Sequence, residues 1–458
     1  MNPLRAVSRH PRLSLILFAS LAASGVTLAH ANQITQWLDI QYEMATGENP
    51  QPIQLVRPKT APLSTMAELG KQIFFDKNLS GSGKQSCASC HSPQHAYGPP
   101  NGDSVMMGGP DLHSQGARAV PSIMYLERQP NFSIGPENAT LENINLNQQA
   151  TQAKTAAIAQ KNAGNAASST NLVPQGGLFW DGRVNTLQAQ ADGPLFNPVE
   201  MDGGTPTIVA AKLEQSAYAP VFKQLFGATI FGNPNQTVAE ALFAVARYQI
   251  EDPSFHPYSS KYDAWLEGKT TLSHREMKGY FVFNDPRKGN CAACHLDQPT
   301  RDHRPPLFTD HQFEALGLPR NPAIEANQDP AYDDLGLCGP FRQDLKSQTR
   351  YCGMFLTPTL RNVATRRTFF HNGVYHTLKD VLNFYDFRDT EPAKIYPRGT
   401  DGRIEQFNDL PVTDRRNVDT VDAPFNRHLG EKPVLTTEDK ADLIAFLKTL
   451  TDGYQAAR

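Results

Sequence analysis

The sequence predicts a mainly α-helical protein built from two tandem domains with long loops. With 458 residues the chain is too long for one hydrophobic core, and its 32 glycines and 35 prolines indicate much irregular chain. A Cys-x-x-Cys-His motif occurs twice, at residues 87–91 and 291–295, and a helical pattern precedes each copy. Alternating strand patterns are sparse. We therefore assign one domain to each motif and place the domains at residues 32–255 and 256–458.

The helices before the two motifs begin with capping signals. Thr65 has a glutamate three residues later, which is the spacing of a capping box, and opens a helix through residues 69–75. Ser273 has the same spacing to a glutamate and opens a helix through residues 277–283. The repeated arrangement supports two copies of one local design.

The Cys-x-x-Cys-His motif is the attachment site of c-type haem. Its two thiols reach the two vinyl groups of one porphyrin, and the adjacent histidine can ligate the iron. A zinc site and a redox dithiol are the competing interpretations. Zinc needs four ligands, which two motifs so far apart do not supply, and a dithiol leaves both histidines unexplained. The sequence thus predicts two covalently bound haem c groups, held by Cys87, Cys90, His91, Cys291, Cys294 and His295.

The end of the chain carries an amphipathic helix. Thr436 or Thr437 would cap it, and its apolar side chains recur at the i, i+3, i+4 and i+7 positions of one helix face. These side chains are Leu443, Phe446, Leu447 and Leu450. A helix leading into Cys-x-x-Cys-His, with a terminal helix packed on it, is typical of a cytochrome c domain. The fold class we predict is two tandem cytochrome c-like domains.

The first 31 residues have the pattern of a secretion signal. Three arginines precede an apolar run over residues 13–28, and an Ala-x-Ala sequence ends at Ala31. A membrane anchor is the alternative, but a run of about 16 residues is short of the ~20 that a spanning helix needs. We expect cleavage after Ala31, export to the periplasm and no membrane span in the mature protein.

The charge balance argues against nucleic-acid binding. The formal net charge is −3, and loss of the leader removes three arginines and no acid, which leaves −6. A surface that binds nucleic acid would be basic.

Two further segments carry expectations of their own. Cys338 and Cys352 are most simply a disulfide, which would close a 15-residue loop and contribute roughly 3 kcal/mol of stability. Haem ligation by either cysteine is the alternative, which the lack of an adjacent histidine disfavours. Residues 138–175, rich in Asn, Gln, Ala and Ser, are expected to form a mobile surface insertion.

Beyond the motifs, the chain from about Leu63 to Leu450 resembles the bacterial di-haem cytochrome c peroxidases, including their MauG branch. The spacings of 10, 14 and 20 residues from Trp180 to Gln190, Pro194 and Glu200 match that family. The matching stretches are Leu-Gly-Lys-Gln-Ile-Phe-Phe-Asp at 69–76, Phe-Trp-Asp-Gly-Arg at 179–183, Thr-Pro-Thr-Leu-Arg-Asn-Val at 357–363 and Phe-His-Asn-Gly at 370–373.

The resemblance implies roles for individual residues. His91 would be the proximal ligand of a peroxidatic haem in the first domain, and His295 that of an electron-transfer haem in the second. Glu200 matches the distal acid that moves a proton between the peroxide oxygens, and Gln190 would hydrogen-bond the bound peroxide. Trp180 takes the family position between the two porphyrins, where an indole can pass an electron.

The sixth ligand of the second haem decides the subtype. Ordinary family members place a methionine seven residues after a leucine that corresponds to Leu378, and that position here is Tyr385. Met354 precedes the 357–363 stretch and is expected in the core. We therefore expect His91, His295 and Tyr385 as the iron ligands. A tyrosinate donor favours higher oxidation states and suits a MauG-like, high-valent state shared by both haems. The alternative is that Tyr385 is only a packed aromatic.

Departures from the family pattern affect the first haem. In family members that need reductive activation, a histidine seven residues before the arginine that corresponds to Arg118 blocks the first haem. In this sequence that position is Asp111. His113 lies nearby and could ligate in another register, whereas His95 follows His91 too closely to reach the opposite haem face. We expect a five-coordinate, open first haem, with His113 on a polar loop.

Other departures concern the family's inter-domain calcium. Ala119 replaces an asparagine ligand, and Arg366 and Arg367 fall where carbonyl ligands are expected. Calcium is therefore disfavoured, although it stays open. Asn372 replaces an aspartate, and the sequence gives no reason for the change.

Three functions follow for testing. The first is a peroxidase that takes electrons for hydrogen peroxide from a small cytochrome c or a cupredoxin. The second is MauG-like oxidation of residues in a partner protein, which would mature a cofactor. The third is a non-catalytic di-haem electron carrier or sensor, which Glu200 and Gln190 argue against. A dimer is typical of the family, and the sequence neither supports nor excludes it.

Overall fold

A computed structural model describes residues 28–136 and 172–455. Its α-helices, numbered α1 to α11 in chain order, are connected by long irregular segments and short 3₁₀ turns. They are Leu28–Thr46, Thr65–Phe75, Cys87–Cys90, Leu187–Phe196, Pro206–Glu214, Ala219–Phe226, Pro234–Glu251, Lys261–Leu266, His274–Asn284, Leu378–Phe387 and Thr437–Lys448. The mainly helical class predicted from the sequence is confirmed.

Strands are few and short. Three antiparallel pairs occur in the described part of the chain, β1 with β2, β3 with β4 and β5 with β6. Their bounds in chain order are Met107–Gly108, Ser114–Gln115, Ser133–Pro136, Leu172–Gln175, Phe313–Glu314 and Phe355–Leu356.

In the first half, α2 crosses α7 at a glycine. A Cβ on Gly70 would come within 1.8 Å of the carbonyl oxygen of Ala244, so only glycine permits this approach. Phe74 of α2 then meets Tyr248 of α7 edge-on, with ring centroids 5.5 Å apart. The predicted helix through residues 69–75 is confirmed, but its cap was placed one residue late. Ser64, not Thr65, is the N-cap, because its hydroxyl accepts from the N–H of Ala67.

The second half repeats the crossing with α9 and α11. A Cβ on Gly279 would lie 2.0 Å from the carbonyl oxygen of Asp442. The rings of Phe283 and Phe446 pack 5.1 Å apart at the same contact. The predicted capping box at Ser273 is present, and Thr436 rather than Thr437 caps the last helix. Each motif thus follows a helix that packs closely against a helix later in the chain.

The apolar core falls into two main clusters. The first draws almost entirely on residues between Leu63 and Tyr258, and the second on residues from Tyr262 to Leu450. The second also includes Leu55 and Met44, although the predicted boundary puts both in the first domain. This early segment is held there because Gly47 accepts from the indole N–H of Trp265 at 3.0 Å.

The loop after β5 carries the third cysteine pair. Cys338 and Cys352 form a disulfide, as expected from the sequence. Both sulfurs are buried in a small apolar cluster with Phe313, Leu337 and Tyr351.

The expected insertion at 138–175 is only partly described. Residues 138–171 lie outside the described residues. The expectation that residues 172–175 are mobile is wrong. These residues form β4, which pairs antiparallel with β3 and places Gln175 opposite Ser133. Of the predicted leader, residues 1–27 also lie outside the described residues. Within the described ranges, no helix has both the length and the apolar character needed to cross a bilayer.

We expect Gly70→Ala and Gly279→Ala to destabilise the protein. The added methyl must force backbones apart, and such overpacking typically costs about 1–3 kcal/mol. The measurement is chemical or thermal unfolding of the haem-loaded protein. Gly232→Ala is the control, since no atom lies within 4 Å of a Cβ built there. Equal stability of all three variants would contradict the proposed tight crossings.

Candidate active site

The first Cys-x-x-Cys-His motif forms a short helix and a turn. Cys87–Cys90 is α3, and the N–H of His91 donates to the carbonyl of Cys87 at 2.9 Å. The ring Nδ1 of His91 lies 3.1 Å from the carbonyl oxygen of Tyr97. Since a carbonyl only accepts, Nδ1 carries the proton and Nε2 keeps its lone pair for a metal.

The second motif has the same local design. Cys291–Ala293 is a 3₁₀ turn, and the N–H of His295 donates to the carbonyl of Cys291 at 2.8 Å. The ring Nδ1 of His295 lies 2.9 Å from the carbonyl oxygen of Phe308. Again Nε2 is left for a metal.

The protonation states suit iron ligation and haem attachment. Burial lowers the pKa of both His91 and His295 to about 4, so both rings are neutral at physiological pH. None of the four motif cysteines is in a disulfide. Burial raises the pKa of Cys87 and Cys291 to about 12, which keeps them as thiols.

A cavity of about 310 Å³ opens beside the second motif and extends to the junction of the two halves. Its wall is mostly apolar, which suits a porphyrin, and the motif cysteines and histidine face it. Residues that line it around the motif are Cys291, Cys294, His295, Leu382, Tyr385 and Phe425. Paired thiols, a neutral imidazole and an apolar wall together fit a covalently bound haem.

Trp180 lies at the junction, on the wall of this cavity. Its indole N–H donates to the carbonyl of Ala119 at 2.8 Å, and its own carbonyl accepts from Leu356 at 2.9 Å. The side chain is buried. Hydrogen bonds to both halves of the chain therefore fix the position of Trp180 on the cavity wall.

Gln190 and Glu200 are presented by α4 and the turn after it. Thr186 caps α4, and Gln190 stands on its second turn, buried and facing the cavity. The Gln190 side-chain amide makes no hydrogen bond to any residue in the described part of the chain, so its donors stay available. Glu200 is not among the residues that line the cavity. Its backbone carbonyl accepts a hydrogen bond from the N–H of Gly109 at 2.8 Å.

Glu200 is electrostatically close to the first motif. Its negative charge helps to raise the pKa of the Cys90 thiol to about 12, after the larger effect of burial. Although the side chain has access to solvent, partial burial of the carboxyl raises the pKa of Glu200 above its ordinary value. A hydrogen bond from Asn197 at 2.8 Å and the charge of Arg183 oppose that rise.

A buried ion network is centred on Asp181, the residue after Trp180, and the sequence did not predict it. Asp181 accepts from Arg118 at 2.7 Å and from Arg183 at 2.9 Å, and it has no exposed surface. Arg118 also binds both carboxylate oxygens of Asp334. Although burial acts in the opposite direction, Arg118 lowers the pKa of Asp334. The only sequence signal was the Asp and Arg in the stretch around Trp180.

Comparison with known proteins agrees with this geometry. Residues 64–271 match the family model described as di-haem cytochrome c peroxidase. Cytochrome c551 peroxidase of Nitrosomonas europaea is 30% identical over 424 residues, which cover 89% of this chain and 95% of that protein. The chain belongs to the di-haem cytochrome c peroxidase family.

Two further relatives extend the match. Methylamine utilization protein MauG of Paracoccus denitrificans is 29% identical over 397 residues, which cover 84% of this chain and 88% of that protein. The crystal structure of the diheme peroxidase BthA from Burkholderia thailandensis superposes with a TM-score of 0.72 at 34% identity, covering 87% of this chain and 90% of that one. As a member of this family, the protein described by our structure is an oxidoreductase that acts on peroxide and carries two covalent haem c groups.

Tyr385 of the peroxidase stands on α10 and lines the cavity beside His295. Its ring stacks on Phe425, with centroids 5.3 Å apart and planes inclined by 23°. No hydrogen bond joins its hydroxyl to another of the described residues. Burial and then the nearby Cys294 and Cys291 raise the pKa of Tyr385, so without a metal it is a neutral phenol.

The residues considered as blocking ligands of the first haem lie elsewhere. His113 and Asp111 are exposed in the turn of the β1–β2 hairpin, where the His113 N–H donates to the Asp111 carboxylate at 3.0 Å. His95 lines the cavity, but its ring Nδ1 is engaged with the hydroxyl of Ser92 at 3.0 Å.

The positions linked to calcium carry other groups. Ala119 is buried and donates its N–H to the carbonyl of His371 at 2.7 Å. The Arg366 guanidinium donates to the Val120 carbonyl at 2.8 Å. Asn372 donates to the carboxylate of Asp409 at 2.9 Å, which an ionised aspartate in its place could not do. This explains the asparagine that the sequence left unexplained.

We expect Cys291→Ser with Cys294→Ser to remove one haem and leave the other. Each motif has its own pair of thiols, so attachment at Cys87 and Cys90 does not depend on the second pair. Intact-mass spectrometry of the denatured protein counts the haems. Cys338→Ser with Cys352→Ser is the matched control and should retain two. Loss of haem from the control would show that these cysteines do more than form a disulfide.

Proposed function

We propose that the protein reduces hydrogen peroxide in the periplasm, at the haem held by Cys87, Cys90 and His91. Electrons would arrive through the haem at His295. The observation that carries this proposal is the pair of groups presented by α4 and its following turn. Gln190 offers an amide that has no hydrogen-bond partner among the described residues, and Glu200 is a carboxyl with a raised pKa beside the first motif. A plain electron carrier has no use for such a pair, and family membership sets that alternative aside.

The residue roles follow from ordinary acid–base chemistry. The haem iron supplies the centre that binds peroxide and exchanges electrons with it. Glu200, as carboxylate, accepts a proton from one peroxide oxygen and returns it to the other, which leaves as water. Gln190 donates a hydrogen bond that orients the peroxide. With two electrons and two protons the peroxide becomes two waters.

Trp180 is proposed as the relay between the two haem sites. An indole is oxidised more readily than most side chains, and this one is fixed by hydrogen bonds to Ala119 and Leu356. The ion network of Arg118, Asp181 and Asp334 holds the surrounding segments in place. A rigid relay keeps the transfer distance constant.

The electron donor is proposed to be a small cytochrome c or cupredoxin in the periplasm. Residues 1–31 would direct export, and the domains at 32–255 and 256–458 would each carry one haem. The exposed position of Asp111 and His113 supports a first haem without a blocking ligand. We therefore propose that the oxidised protein reacts with peroxide without prior reduction.

We expect Glu200→Gln to slow the reaction of the oxidised protein with peroxide by ~10²–10⁴-fold, because the amide cannot move the proton. Stopped-flow absorbance at the ferric Soret band measures the rate. Glu214→Gln, an exposed carboxylate at the end of α5, should leave it unchanged. An unchanged rate in Glu200→Gln would remove this residue from the mechanism.

The rate should also depend on pH through Glu200. The carboxylate form accepts the proton, so the rate should fall as pH falls through the raised pKa of Glu200. Asn197→Ala removes a hydrogen bond that stabilises the carboxylate, and it should move this acid limb to higher pH. If the acid limb of the pH–rate profile does not move in Asn197→Ala, the titrating group is not Glu200.

A second candidate function is MauG-like oxidation of residues in a partner protein, with the same site and another source of electrons. The observation that favours it is the position of Tyr385, which faces the cavity beside His295. Its hydroxyl makes no hydrogen bond to another described residue. We propose that Tyr385 ligates the second iron. A hard anionic donor would lower the reduction potential there and help both haem sites share two oxidising equivalents.

We expect Tyr385→Met to raise the potential of the second haem and to add a sulfur-to-iron charge-transfer band in the ferric spectrum. Tyr385→Phe should leave that iron without its sixth ligand and convert it to high spin. Redox titration and EPR measure both effects. Tyr375→Phe, in the same aromatic cluster, is the control. A second haem indifferent to Tyr385→Phe would leave this residue as a packed aromatic.

A further inference from the structure

The partly buried guanidinium of Arg366 lies at the junction of the two halves, on the cavity wall. Its Nη2 donates to the carbonyl of Val120 at 2.8 Å, and no described carboxylate pairs with it. Burial alone lowers the pKa of Arg366 to about 10. By contrast, the buried guanidinium of Arg361, which also lines the cavity, is paired with Asp263 at 2.7 Å.

A partly buried guanidinium with no carboxylate partner among the described residues calls for an acid from outside the chain. Taking an ion out of water is unfavourable unless a partner compensates its charge. Arg366 lines the cavity together with His95 and Ala96, which follow the first motif, so its guanidinium borders space at the first-motif end that a haem would use. A haem brings two propionate carboxylates, and guanidinium binds a carboxylate through two parallel hydrogen bonds.

The position of Arg366 indicates which haem it serves. Nη1 lies close to Gly98, at 3.4 Å from where a Cβ would stand. Gly98 follows Tyr97, whose carbonyl accepts from the ring of His91. The charge of Arg366 also acts on His91 itself. The guanidinium therefore belongs to the surroundings of the first haem, on the side facing the second half.

We propose that Arg366 binds a propionate of the haem attached at Cys87 and Cys90. It is a positioning residue, because it holds the haem edge and sets the electrostatic potential at the iron without touching peroxide. A fixed positive charge disfavours ferric over ferrous iron and raises the reduction potential of this haem. The proposal needs only the bound haem and is independent of the peroxide chemistry.

The test is a redox titration of the haem-loaded protein, with the two haems followed by their separate ferric bands. Arg366→Gln should lower the midpoint potential of the His91 haem, and Arg366→Lys should restore most of the loss because it keeps the charge. Arg367→Gln is the matched control, since Arg367 is the exposed neighbour. An unchanged potential in Arg366→Gln, or an equal fall in the control, would overturn the proposal.

A crystal structure of the haem-loaded protein gives an independent measurement. The expected result is a guanidinium nitrogen of Arg366 at about 2.7–3.2 Å from a propionate oxygen of the His91 haem. A guanidinium that still contacts only Val120, or that binds the other haem, would overturn the assignment. This readout remains decisive if Arg366→Gln does not take up haem, and neither measurement involves peroxide turnover.

Discussion

The site depends on one hydrogen bond in each half, from the Nδ1–H of the motif histidine to a backbone carbonyl. His91 uses the carbonyl of Tyr97 and His295 that of Phe308. Each bond fixes the tautomer, so that Nε2 is the metal-binding atom, and fixes the plane of the ring. The two acceptor carbonyls are held in place because Tyr97 packs on Phe74 of α2 and Phe308 packs on Phe283 of α9. Glycines at the two crossings, Gly70 and Gly279, allow that packing.

In the chain between the two motifs, residues 118–120 form bonds to both halves of the protein. Arg118 binds Asp181 and Asp334, and the backbone of Ala119 bonds to both Trp180 and His371. A segment tied down at consecutive residues resists movement. This anchoring supports the proposal that the first haem is open without a prior rearrangement of the segment.

Local signals in the sequence were sufficient for the two motifs and for the helices Thr65–Phe75, His274–Asn284 and Thr437–Lys448, because capping and periodicity depend on near neighbours. The Ser273 capping box is an example. Long-range pairs were not predictable in this way. Arg118 and Asp334 are 216 residues apart, and nothing in either local sequence names its partner. The strand at 172–175 was missed for the same reason, since its pattern is set by pairing with β3. Whether Glu200 and Tyr385 act as proposed stays a prediction.

The two proposed haem environments oppose each other electrostatically, and this opposition gives the site a direction. Tyr385 would bring a negative donor to the second iron, whereas Arg366 would bring a positive charge to the edge of the first haem. A negative ligand stabilises the oxidised form, and a nearby cation stabilises the reduced form. Oxidising equivalents generated at the first site would therefore move downhill to the second, with Trp180 as the proposed relay. A protein that only carried electrons would gain nothing from such a bias, but a peroxidase that must empty its reactive site gains speed.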